Sequence, residues 1–239
     1  MNTPQDLKGN ELLAALPSDV LRRLEPQFEW VNMPLGQVLY LSGETPQYVF
    51  FPTTALVSLL YVSENGSTSE IAIVGREGLV GISVFMGGGS TPSCAEVQCA
   101  GSGVRLGSGL LRDEFNLGGA AMDLMLRYTQ ALITQTAQTA VCNRHHSLDQ
   151  QLCRWLLLSL DRVTGAELVM THTLISANLG VRREGVTEAA RRLQEAGMIR
   201  YVRGRITVLD RPALEARSCE CYGVVKREYD RLLPRRQTG

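Results

Sequence analysis

Two short helical stretches joined by a glycine, with two strand-like runs directly behind them, constrain this chain more than any other feature. They occupy residues 171–209, from 'THTLISANLG' to 'RITVL'. Thr171 is a good N-cap, and Leu174, Ile175 and Leu179 give the first helix an apolar face. Gly180 closes it and supplies a tight turn, which small Ala177 helps by letting the helices approach. A second helix is predicted from about Arg182, with Val186, Ala189, Ala190 and Leu193 inward. Residues 171–194 thus read as a helix-turn-helix. 'GMIRYV' and 'RITVLD' then read as two strands turning at Arg203-Gly204, a wing.

Charge agrees with that pattern. The whole chain of 239 residues is balanced, with 24 Lys and Arg against 24 Asp and Glu. Residues 147–239 hold 16 of the basic and 11 of the acidic residues, which leaves 8 basic and 13 acidic in 1–146. An acidic front and a basic back imply two units with different partners. Seven arginines fall within 24 residues: Arg182, Arg183, Arg191, Arg192, Arg200, Arg203 and Arg205. Such a cluster can neutralise several phosphates of duplex DNA. An Arg-rich helical pair of another kind of domain would share the charge, but not the turn and the wing.

Upstream the periodicity is different. 'QVLYL' (37–41), 'YVFFP' (48–52), 'ALVSLLYV' (55–62), 'SEIAIVG' (69–75) and 'CAEVQC' (94–99) read as strands, with Asn65-Gly66 as a hairpin turn. Regular short strands with Gly-rich turns predict an antiparallel barrel or sandwich. Residues 10–25 read as one or two short helices, with Ser18 as an N-cap. Helical pattern returns in 'GLLRDEFNL' (109–117), breaks at Gly118-Gly119, and resumes over about 120–144. The least polar face of that long helix carries Met122, Met125, Leu126, Thr129, Leu132, Ile133, Thr136 and Ala140. Spacing of three and four makes it a coiled-coil-like seam for a second copy. A helix buried inside one subunit would show the same face. A further helix is predicted over 147–163, capped by Ser147 and ended by Gly165. The division expected is 1–118, 119–145 and 146–239.

Here the chain resembles a known family. 'LGVRREGVTEAARRLQEAGMI' is similar to the recognition segment of the Crp/Fnr regulators, and 'LGQVLYLSGE' with 'VGREGLVGISVFMGGG' resembles their cyclic-nucleotide-type β-roll. The likeness spans almost the entire chain, in the family's order. It implies an α+β fold: an N-terminal antiparallel β-roll, a long dimerisation helix and a C-terminal winged helix-turn-helix. It implies a homodimeric transcriptional regulator of palindromic double-stranded DNA, with RNA polymerase as a further partner. Arg183 and Glu184 fall at base-contacting positions, where Arg can fork onto guanine and Glu can accept from a cytosine amino group. Thr187 and Glu188 follow on the same face; Glu188 stands where family members often have arginine, so the half-site is expected to differ. Thr171, His172, Arg182, Arg191, Gly204 and Arg205 fall at or beside backbone-contacting positions.

The sensor half departs further. In relatives that bind cyclic AMP, a Glu holds the ribose and an Arg-Ser pair the phosphate. The match places Ile82 and Pro92-Ser93 there, so the charge-neutralising arginine is missing. Thr136 and Ala137 take the positions that reach the adenine. No tight cyclic AMP binding is expected; Gly81, Ile82, Ser83, Pro92, Ser93 and Thr136 remain a candidate pocket for an unknown effector, which the 'GGGS' run (87–90) can border.

Other features are weaker. 'GSGVRLGSG' (101–109) lacks the strand–helix context of a dinucleotide fingerprint and reads as a strand-end turn. Cys219-Glu-Cys221 has no second half in sequence and reads as two ordinary cysteines; His145-His146 reads as solvent-facing or capping. No metal or cofactor is expected, no N-terminal cysteine cluster suits an iron–sulfur centre, and no catalytic constellation appears. Six scattered cysteines, no apolar N-terminal leader and no membrane-spanning run predict a cytoplasmic protein without disulfides. The rival readings are an effector-binding module acting mainly as a sensor, and an enzyme using the 101–109 glycines. DNA binding by residues 145–239 separates the first from a regulator.

Overall fold

The computed structural model describes residues 6–234 apart from Asn65 and Thr164. Two short helices, α1 (Glu11–Ala14) and α2 (Ser18–Leu24), precede seven strands: β1 (Glu29–Met33), β2 (Val38–Tyr40), β3 (Tyr48–Pro52), β4 (Leu56–Val62), β5 (Thr68–Val74), β6 (Cys94–Cys99) and β7 (Gly101–Gly107). They form two antiparallel sheets, ordered β1-β7-β3 and β2-β6-β4-β5, which together make the expected roll. Helices α3 (Ser108–Asn116), α4 (Gly119–His145) and α5 (Leu148–Arg162) follow. Strand β8 (Glu167–Val169), helices α6 (His172–Leu179) and α7 (Arg183–Glu195), and strands β9 (Ile199–Val202) and β10 (Arg205–Val208) come next. The chain then adds α8 (Arg211–Arg217) and α9 (Glu220–Leu232).

Several expectations need correction. Ser18 does not cap: the N-cap of α2 is Pro17, without a side-chain bond, while Asn10 caps α1 by accepting from the Leu13 amide. Ser147 does cap α5, in a capping box with Gln150. β4 and β5 pair as a hairpin with Gly66 at φ +80°; Asn65 itself lies outside the described residues. The stretch 101–107 is a strand, not a strand-end turn, and it is the middle strand of its sheet. Its glycines admit neighbouring backbone: a Cβ on Gly101 would run into the Ala55 nitrogen, and one on Gly103 would lie 2.7 Å from the Phe51 oxygen.

The long helix needs the finest correction. Met125, Thr129 and Leu132 of the predicted seam are buried within the subunit, Met125 and Leu132 against the roll. The apolar residues left outside are Leu126, Ile133, Ala137, Ala140 and Val141, with Ile133 58% exposed. One side of the stripe is thus core of the subunit, and the other side stays exposed.

Two apolar cores result. One fills the roll and takes Leu124, Met125, Tyr128 and Leu132 from α4. The other surrounds α5 and gathers α6, α7, the wing sheet and α9, and it includes Leu56 and Ile73 from the roll. Polar bonds seal the contact between them. Trp155 Nε1 donates to Glu70 at 2.7 Å, Arg162 Nε to Glu77 at 2.8 Å, Arg162 Nη2 to Gln135 at 2.6 Å, and Gln135 Nε2 to the Ile73 carbonyl at 2.9 Å. No helix among the described residues is long and apolar enough to cross a membrane.

Glu70 is fully enclosed, and burial pushes its carboxyl up from 4.5 to about 7, against the pull of Ser58 and Trp155. Below pH 4.5 the group is neutral in both folded and unfolded chains. Between 4.5 and 7 the unfolded chain alone ionises, so stability falls as pH rises, by up to about 3 kcal/mol, and levels off above 7. Glu70→Gln should flatten that slope in urea unfolding followed from pH 4.5 to 8. Parallel slopes for the two proteins would refute the assignment.

Candidate nucleic-acid interface

Thr171 caps α6 by accepting from the Leu174 amide, and Gly180 ends it with φ +65°, a conformation that costs other residues. Helix α7 starts after Arg182 and buries Val186, Ala189, Ala190 and Leu193 against the second core. The opposite face, Arg183, Glu184, Thr187, Glu188 and Arg191, is exposed. Gly185 lets α7 lie on α5, since a Cβ there would meet Leu148 at 2.9 Å. Ala177 is exposed, so it does not mediate the close approach expected of it.

The wing is a hairpin of β9 and β10, with Arg203 at φ +49° and Gly204 at φ +78° in its two-residue turn. β8, which the sequence pattern did not reveal, pairs with β10 on the other side.

The cationic side chains divide into two groups. Arg191 is held by Glu188 and Glu195 on its own helix, and Arg192 by Asp149 and Glu188. Asp149 also takes Arg217 at 2.9 Å, so this carboxylate joins α5, α7 and α8. Bonds from Arg191, then Arg192, hold the Glu188 carboxyl below its usual range. Glu188 is thus already occupied, and its expected base contact would have to break these bonds. Arg205 pairs with Glu167 across the wing sheet at 2.6 Å. By contrast, Arg182, Arg183, Glu184, Arg200 and Arg203 have no side-chain hydrogen bond or ion pair among the described residues. The α7 N-terminus also has no side-chain cap.

His172 corrects another expectation. Its ring stacks on Tyr201 with centroids 4.0 Å apart, its Nδ1 lies 3.1 Å from Thr187 Oγ1, and its Nε2 is buried without a partner among the described residues. The side chain braces α6 against α7 and the wing and does not face outward to a phosphate. Thr187, bonded to His172 and to the Arg183 carbonyl, belongs to the same brace.

Residues 150–217 match the family model described as a Crp-like helix-turn-helix domain. This stretch is a Crp-like helix-turn-helix domain. The whole fold is similar to that of FixK2 from Bradyrhizobium japonicum, at 16% identity and TM-score 0.68, covering 80% of this chain and 98% of that one. It is similar to a CRP-family transcriptional regulator from Thermus thermophilus, at 18% identity and TM-score 0.66, over 79% and 96% of the two chains. A second CRP/FNR-family regulator from that organism shares 24% identity, with TM-score 0.60 over 79% and 97%. No match was found among curated proteins. The domain match and the shared fold support the Crp/Fnr family.

Ahead of the Crp-like domain, Ile82, Ser83, Pro92, Ser93 and Thr136 come together around a cavity of about 510 Å³, with Leu132, Ile133 and Ala137 of α4 on its far wall. Gly81 does not line it; at φ +110° it turns the chain against Val49. Among the described residues the lining holds no charged side chain. Tyr40 and Ser93 supply hydroxyls, and burial pushes the Tyr40 phenol up to about 12.

Within the Crp-like domain, burial first and Arg183 second lower the pKa of His172 below 6.5. A histidine kept neutral stabilises the fold above pH 6.5, and that stability is lost as pH falls below 6.5, where the unfolded chain takes up a proton first. His172→Phe keeps the stack on Tyr201 and cannot titrate. Urea midpoints at pH 5.5 and 7.5 should therefore differ more in the wild type, on the acid-labile side, than in the variant; equal differences would refute the brace.

Proposed function

We propose that this chain is a homodimeric, sequence-specific transcriptional regulator of the Crp/Fnr type, with RNA polymerase as a further partner, that does not respond to cyclic AMP. The observation that carries the reading is the start of α7. Arg182, Arg183 and Glu184 are exposed without internal partners among the described residues, at an uncapped helix end whose free amides and dipole favour phosphate. Arg183 and Glu184 read bases, Arg182 and the wing residues Gly204 and Arg205 meet the backbone, and Thr171 and His172 position α6 and α7. Residues 1–118 act as the sensor, 119–145 as the pairing helix and 146–239 as the DNA-binding part.

Glu184→Ala should cost on the order of 1–3 kcal/mol per half-site and relax preference at one base pair. Arg205→Ala should weaken all sequences about equally and lower the salt slope by about one per subunit or less, because Arg205 must first leave Glu167. Both are measured by titrating a palindrome obtained by in-vitro selection at several salt concentrations. The reading fails if no palindrome is enriched, or if Glu184→Ala weakens specific and random DNA alike.

The exposed stripe on α4 supports dimerisation, which the reading requires because two recognition helices must reach major grooves about 34 Å apart. Ile133 is the residue to change, because Leu132 is already buried in the roll. Ile133→Asp should sediment as a monomer at concentrations where the wild type is a dimer; a monomeric wild type would remove the pairing.

The uncharged cavity supports the view of cyclic AMP. A phosphodiester there would lose its hydration with no cation to replace it, several kcal/mol in rough terms. The lining suits an uncharged, largely apolar small molecule with one or two polar atoms for Tyr40 and Ser93.

A further inference from the structure

The last turn of α4 and the first turn of α9 meet at a cluster that the sequence hides. Cys142 lies in the last turn of α4, and His146 is its C-cap, whose amide donates to the Cys142 carbonyl at 3.1 Å. Cys219 is the N-cap of α9 and Cys221 lies in its first turn. Their side chains converge although Cys219 lies 73 positions after His146. Cys142 Sγ lies 3.5 Å from Cys219 Sγ, and Cys221 Sγ lies 3.6 Å from His146 Nδ1. All four candidate ligand atoms fall within 4.8 Å of one another. The three thiols are buried and His146 is 13% exposed. Cys142 and His146 thus stand beside Cys219-Glu-Cys221 in space although they are distant in sequence.

We propose that Cys142, His146, Cys219 and Cys221 bind one zinc ion, which fastens the C-terminal helix to the end of α4 beside the DNA-binding domain. A tetrahedral ion with bonds of about 2.3 Å to sulfur and about 2.0 Å to nitrogen sets ligand edges of roughly 3.5–3.8 Å. The two measured edges are within a few tenths of an ångström of these. Three thiolates and an imidazole are soft ligands that select zinc over magnesium, calcium or manganese. The short span suits one ion; two bridged irons would hold their outer ligands farther apart.

The surroundings fit the same ion. Glu220 lies 3.3 Å from His146 Nε2, so its carboxylate can fix the ring with Nδ1 toward the thiols, as carboxylates do behind metal-bound histidines. Gln151 donates to the His146 carbonyl at 2.9 Å and holds the end of α4 in place. The negative end of α4 faces a cation, and the positive end of α9 favours the thiolates of Cys219 and Cys221. Zinc with three thiolates carries one net negative charge. Arg154, a buried cation on α5, can balance it, and its Nε has no hydrogen-bond partner among the described residues.

The test uses the full chain, purified without chelator. Elemental analysis and native mass spectrometry should find about one zinc per chain. Cobalt, added after zinc is removed, should give the thiolate charge-transfer bands and the strong visible bands of a tetrahedral site. Cys221→Ser and His146→Gln should each lose most of the zinc while keeping the helical circular dichroism. Should the variants not fold, the zinc content and cobalt spectrum of the wild type still decide. A wild type free of metal that gives no such cobalt spectrum overturns the proposal. So does bound iron with visible absorption, or a Cys142–Cys219 disulfide found by mass. DNA binding is not a readout here, so this test and that of the regulator reading fail independently.

Discussion

The arrangement of this molecule depends on a helix that has almost no solvent face. In α5 every residue from Gln151 to Leu160 is buried, including Arg154 and Ser159, and Arg162 at its end is buried too. A helix enclosed on all sides cannot satisfy polar side chains with water, so each needs a fixed partner. The partners lie on other elements. Trp155 reaches Glu70 of β5, while Arg162 reaches Glu77 and, on α4, Gln135. Truncating Glu77 would leave the buried Arg162 charge uncompensated, which costs about 3–5 kcal/mol. The network therefore sets where the helix-turn-helix stands relative to the roll, a precision that apolar contact alone would not impose.

Within that frame, ion pairs distribute the arginines between support and surface. Asp149 collects Arg192 and Arg217, and Asp161 takes Arg211 beside Tyr222. These pairs tie α7 and α8 to α5 and leave the first turn of α7 presented without partners of its own. A count of arginines overstates the charge available to an outside anion. Those that matter are the ones the fold does not use.

Much of this was legible because it is local. Thr171, Gly180 and the Val186–Leu193 spacing specify two helices and a turn from neighbours in sequence, and Arg203-Gly204 specifies the wing hairpin. What was not legible depended on contacts from distant parts of the chain. The glycines of β7 look like a turn until the backbones of Ala55 and Phe51 are set against them. The apolar face of α4 gives no sign of which half meets the roll, since Met125 and Leu126 are equally apolar. α8 and α9 carry local signals, Asp210 as N-cap before Pro212 in one and Tyr222 with Val225 on the buried face of the other. His172 looked like a free polar residue at a helix start, and only the position of Tyr201 makes it a brace.

Helix α4 brings these separate features onto one rigid rod. Leu132, Ile133, Thr136 and Ala137 wall the uncharged cavity, and Ile133 and Ala137 also belong to the exposed apolar stripe. Gln135, between them in sequence, points the other way and holds Arg162. Cys142 and His146 end the same helix against α9. A helix does not bend freely within three turns, so a rotation of α4 about its axis cannot move one of these contacts alone. A rotation that shifts Ile133 or Thr136 in the cavity wall would shift Gln135 as well, and with it the bond to Arg162. Cavity, stripe and α5 network are therefore mechanically one unit, and the spacing of their residues along α4 makes them so.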